Sequence, residues 1–166
     1  MGVSPRELAF DAAVKSWSNF DYRGRADLHQ LEIRDRLIAI RQLFNDALAV
    51  EGQQVTDHAP HPPLYFDYID SDHSNALAFM DSAHSFIGVT IPLINEVANS
   101  SAALSASDAV VSVIGLPLTN DRKSLYDALF WLLLSFVVTH EYSHHVHGHL
   151  NGALASDAWK KSLAVR

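Results

Sequence analysis

From Ser124 to His147 the chain runs 24 residues without a glycine or a proline, and most of them are good helix formers. The run predicts one long helix, and that helix dictates much of what the remaining segments can do. Its apolar part, Leu125 to Val138, is interrupted by Asp127 and Ser135. A bilayer span needs about 20 consecutive apolar residues, so the segment is expected as a core helix covered by other elements. Asn120 or Asp121 is expected to cap its start and Gly148 to stop it.

The apolar part then turns abruptly into His140-Glu141-Tyr142-Ser143-His144-His145-Val146-His147-Gly148-His149. This stretch contains the spacing H-E-x-x-H. Helical residues advance about 100° each, so His140 and His144 stand about 40° apart on one face, one turn along. Both rings can therefore meet a single zinc ion at ordinary Zn–N distances. Glu141 lies about 100° round from His140, beside the ligands rather than among them. That position suits a general base acting on a metal-activated water. Three fixed residues make a short motif in a chain with 10 histidines, so the helical context carries the weight.

A catalytic zinc ordinarily takes three protein ligands and keeps an open position. Asp157 is the only carboxylate downstream of Glu141, and His149 is the second candidate. A ligand beyond Arg166 and an upstream ligand are the remaining options. Asp157 is equally placed to N-cap a short final helix from Ala158 to Val165. His147 returns to the face of His144, whereas His145 and His149 point elsewhere on a continuous helix. All three are expected at a wet helix terminus, where imidazolium offsets the negative end of the dipole. His58 and His61 are expected in a solvated, proline-rich loop. Asp70-Ser71-Asp72-His73-Ser74 reads as a turn without the ligand spacing of a calcium loop.

Elsewhere the pattern is helical, then strand-like, then helical. Ser4 as N-cap, Pro5 and Glu7 predict a capped helix to about Ser18. A second helix is expected from Asp27 to about Val50, ended by Gly52. Leu64–Ile69, Asn75–Met80 and Ser85–Thr90 read as three strands, the last two joined by a hairpin at 81–84. Leu93–Leu104 and a short helix capped by Ser107-Asp108 follow. The expected class is α+β: a mostly helical domain whose small antiparallel sheet packs on the long helix.

The formal net charge is −7 with only 12 Lys and Arg, and no basic run exists, which argues against nucleic acid or an anionic membrane as partner. The absence of cysteine excludes disulfides and thiolate ligands. With an N-terminus lacking an apolar signal-like stretch, it points to a cytoplasmic protein without membrane spans. The length of 166 residues suits one domain over 1–166, whole or part of a longer protein, with a helical part at 1–52 and the sheet and motif helix at 64–166.

Together these features resemble a known group. A small sheet with an edge strand followed by an H-E-x-x-H helix resembles the zincin metallopeptidases, on their gluzincin side. Asn75-Ala76-Leu77-Ala78, then Ile87-Gly88-Val89-Thr90 with Leu93-Ile94, then Val138 to His144, resembles the core of HtpX-type peptidases. His144 to His149 resembles the H-x-x-x-G-H run of ImmA-type proteases. The similarity covers about residues 75 to 149, and metzincins are a poorer match because their glycine and third histidine fall elsewhere. The resemblance implies Zn2+ held by His140 and His144, Glu141 as catalytic base, and a downstream acidic third ligand, for which this chain offers Asp157. It also implies a peptide substrate added to an edge strand, expected here at Phe86, Ile87, Gly88, Val89 and Thr90. The expected activity is peptide-bond hydrolysis. A non-catalytic metal-binding regulatory or interaction domain that retains the motif is the alternative from another class.

Overall fold

The reciprocal cap read at Ser4 and Glu7 is formed: the Glu7 carboxylate accepts from the Ser4 N–H at 2.7 Å and the Ser4 hydroxyl accepts from the Glu7 N–H at 3.3 Å. It opens helix α1, Pro5–Lys15. The computed structural model describes residues 3–17, 21–54, 63–81, 83–114, 122–147 and 150. Over these the fold is α+β. After α1 come β1 (Gly24–Arg25), α2 (Arg34–Gln54), β2 (Leu64–Asp70), β3 (Ala76–Met80), β4 (Ser85–Thr90), α3 (Ile91–Ala106), α4 (Asp108–Ile114) and α5 (Arg122–Val146).

The start of α2 departs from the sequence expectation. Asp27 does act as a cap, its carboxylate accepting from the His29 N–H, but of a single 3-10 turn at Leu28–Gln30. The chain is extended again at Leu31 before α2 begins at Arg34. At its other end α2 continues past Gly52, because glycine weakens a helix by about 1 kcal/mol without blocking it sterically.

The sheet is four-stranded and mixed rather than three-stranded and antiparallel, with order β1-β2-β4-β3. β2 pairs with β4 in parallel, from Leu64↔Ser85 to Ile69↔Thr90, and β3 forms the expected hairpin with β4. The five residues 71–75 carry the chain from β2 past the end of β4 to the far side. Thr90 anchors that crossing: its N–H donates to the Asn75 carbonyl, and its hydroxyl accepts from the Asn75 N–H. β1 is only two residues long and antiparallel to β2, too short to show any alternation in the sequence.

Helices cover both faces of the sheet. On one face Phe10 and Val14 of α1 pack on Tyr65, Ile69, Leu77, Phe79 and Phe86. On the other, α2, α3 and α5 enclose Phe66, Tyr68, Ile87 and Val89 through Leu37, Ile40, Ile94, Phe130, Leu134 and Val138. Burial on both faces explains why β2 and β4 read as continuous rather than alternating apolar runs. Among the described residues no helix is long and apolar enough to cross a membrane.

Gly88 sits mid-strand between side chains of the two neighbouring strands, Ile69 of β2 and Phe79 of β3. A Cβ there would collide with Ile69 Cδ1 and lie 3.2 Å from Phe79 Cε1. Both neighbours are buried and have nowhere to retreat. Gly88→Ala is expected to cost about 1–3 kcal/mol, the usual penalty of overpacking a filled core, read as a lower urea midpoint at unchanged slope. An unchanged midpoint would mean that Ile69 repacks freely.

Candidate metal centre

The buried stripe of α5 runs Phe130, Leu134, Val138. Continued at helical spacing it reaches Glu141 and then His145. This places two polar side chains against the sheet, and each finds a backbone partner. The Ala78 N–H faces the Glu141 carboxylate closely enough to draw its pKa down. His145 Nε2 lies 2.9 Å from the Phe86 carbonyl oxygen. His145 is therefore buried and tied to β4, contrary to the wet-terminus expectation, because it lies 11 residues after Leu134, on the same stripe. A buried ring of this kind needs such a bond to offset its desolvation.

With Glu141 and His145 fixed inward, the preceding position turns His140 outward and His144 to the margin. His140 is exposed and His144 half-buried. The His140 and His144 rings stand edge to face with centroids 5.1 Å apart. Each of His140, Glu141 and His144 offers one ligand-type atom, and these atoms lie within 4.8 Å of one another. The helix thus brings together the three residues of the motif. His147 is not part of that group; it follows the helix as an exposed turn residue whose N–H bonds the Ser143 carbonyl. Asp157, His149, His58 and His61 lie outside the described residues, as do Asn120, Asp121 and Gly148.

Burial is the largest influence on the Glu141 carboxyl and pushes its pKa above the ordinary value. The neighbouring His144 and His140 and the Ala78 N–H pull in the other direction without cancelling it. A carboxylate made more basic by partial burial, yet held by a backbone donor, has the character of a proton acceptor.

The strand expected to form the sheet edge is not the one that does. Phe86, Ile87, Gly88, Val89 and Thr90 make up β4, which is paired on both sides, with β2 and with β3. An interior strand has no backbone edge to offer a peptide. The edge beside α5 is β3. Thr90 N–H to Asn75 carbonyl and Asp81 N–H to His84 carbonyl fix the ladder phase, so odd residues of β3 face β4. The backbone groups of Ala76, Ala78 and Met80 consequently turn toward the open edge, and Glu141 meets the N–H of the middle one. The sequence carried a signal for this: a glycine mid-strand marks close approach of neighbours, which suits an interior strand better than an edge.

No family model, curated protein or solved structure matches this chain.

Proposed function

We propose that the chain is a zinc-dependent peptidase whose ion is held by His140 and His144. The observation that carries this reading is the His140–Glu141–His144 group standing at the open edge of β3. The donor set fits zinc: imidazole nitrogens one helical turn apart, with no thiolate and a carboxylate alongside. Two nitrogens on one zinc lie at most about 4.2 Å apart, since each bond is about 2.1 Å. The ligand-type atoms of the group lie within 4.8 Å of one another, close to that limit. Asp157 and His149 are the candidates for the remaining protein ligand.

When bound, the ion supplies Lewis acidity, toward a water molecule and toward the scissile carbonyl. The protein's own groups do the rest. Glu141 would accept a proton from the attacking water and pass it to the departing amine, the role its place beside the two histidines supports. The Ala78 N–H keeps that carboxylate aimed along the sheet edge. An extended peptide adding to β3 would bond to the outward backbone groups of Ala76 and Met80, with Glu141 at Ala78 between them. The resemblance to zincin peptidases points the same way, with β3 rather than β4 in the strand role.

The test uses protein purified without a nickel column. We expect about one zinc per chain by elemental analysis and cleavage of casein or a fluorogenic peptide. In His144→Ala the zinc should fall to background and cleavage with it. Zinc retained by His144→Ala would refute the ligand assignment. Stoichiometric zinc in the wild-type chain without any cleavage would leave a metal-binding domain and no peptidase.

A further inference from the structure

At the sheet edge opposite β3, beside β1, a cavity of about 420 Å³ opens between α1, the residues after β1, and α2. That volume lies in the range of small-molecule sites. Its floor is ionic and built on Asp67, which is fully buried. Asp67 accepts from Arg25 Nε, from Arg41 Nη1 at 3.1 Å, from the Tyr65 hydroxyl at 2.7 Å and from the Tyr68 N–H at 2.9 Å. Glu7 takes Arg25 Nη2 and the Ser4 N–H. Asp11 takes Lys15 and the Arg25 N–H. Each of these carboxylates is thus paired with at least one cation.

The guanidinium donors are not all taken. Arg25 Nη1 and Arg41 Nε and Nη2 have no protein acceptor among the described residues, although both arginines line the cavity and are mostly buried. Around the mouth the chemistry reverses. Val3, Leu8 and Ile38 line the cavity and are 57%, 59% and 39% exposed, an unusual grouping of apolar side chains in water.

We propose that this cavity binds a small monocarboxylate with an apolar body, its head on Arg25 and Arg41 and its body against Val3, Leu8 and Ile38. Spare guanidinium N–H groups on a part-buried floor make charge-assisted bonds to a carboxylate. The charge balance favours one negative charge over two. Arg25, Arg34 and Arg41 line the cavity against Glu7, Asp11 and Asp27, so each added negative charge is harder to place than the last. A phosphate dianion would face three fixed carboxylates with no surplus cation. The site lies across the whole width of the sheet from His140 and does not depend on the peptidase reading.

The probes are octanoate, octanol and octyl phosphate, titrated into ¹⁵N-labelled full-length chain. Octanoate is expected to shift the amides of Leu8, Arg25, Leu28 and Ile38 saturably, with octanol and octyl phosphate about tenfold weaker or worse. Leu8→Glu, on the exposed rim, should weaken octanoate about tenfold by repelling its head. Arg41→Gln should do the same; because Arg41 also supports Asp67, the Leu8 variant decides the matter if Arg41→Gln fails to fold. Equal binding of octanol, tighter binding of octyl phosphate, shifts scattered over the surface, or no saturation by about 10 mM would each overturn the proposal.

Discussion

Replacing Glu141 with glutamine is expected to lower peptide cleavage by about 10²–10⁴-fold while zinc content stays at the wild-type level. The amide has the shape of the carboxylate and can still meet the Ala78 N–H through its oxygen, so the local structure is retained. What it loses is the capacity to accept a proton. His140 and His144, the proposed ligands, are untouched. The two readouts separate roles that a single activity assay would merge. Loss of zinc together with activity would mean that Glu141 is itself a ligand. Retained activity would mean that the base is elsewhere.

The second large effect is on stability. Asp67→Ala is expected to cost about 3–5 kcal/mol, because it leaves Arg25 and Arg41 as part-buried cations facing an empty site. For a chain of this size each kcal/mol moves Tm by about 2–4 °C, so the melting temperature should fall by about 6 °C at least. A melting temperature within about 2 °C of wild type would show that water enters and solvates both guanidinium groups.

The same cluster sets an acid limit. For both Glu7 and Asp11 burial pushes the pKa up, but hydrogen bonds and nearby cations outweigh it and the net shift is down: Ser4, Arg25 and Arg41 act on Glu7, and Lys15 and Arg25 act on Asp11. A carboxyl whose folded pKa is depressed binds fewer protons folded than unfolded. Its stabilising contribution is complete above the ordinary values of 4.5 and 3.8 and disappears as pH falls through the lower folded values. In Glu141→Gln, which removes the opposite contribution of the raised Glu141 pKa, urea midpoints should therefore drop as pH falls below about 5. A midpoint that rose on acidification over that range would contradict the pairing.

The parts legible in the sequence were those that local chemistry decides. A long run free of glycine and proline and rich in helix formers predicts one helix, and α5 is one. Ser4, Pro5 and Glu7 spell a reciprocal cap whose geometry needs no distant partner. H-E-x-x-H places its side chains by helical pitch alone, and His140, Glu141 and His144 come together as that pitch demands. Strand order was not legible, because two hydrophobic strands joined by a short turn look the same whether they pair directly or with a third between them. The parallel β2–β4 pairing and the two-residue β1 depend on contacts that no local pattern encodes. His145 was misjudged by residue type, although its distance from Leu134 and Val138 puts it on the buried stripe. Asp67, a carboxylate in the middle of the strand Leu64–Asp70, is a local sign of a buried charge, but its partners Arg25 and Arg41 lie 42 and 26 residues away in the chain.

The proposal depends most on one ion seated between two rings of α5. Crystals grown with zinc and measured on either side of the zinc absorption edge test it directly. The account predicts an anomalous peak at bonding distance from both His140 and His144, with the Glu141 carboxylate beside the ion and still on the Ala78 N–H. Two rings turned apart, with only solvent between them in zinc-replete crystals, would contradict it.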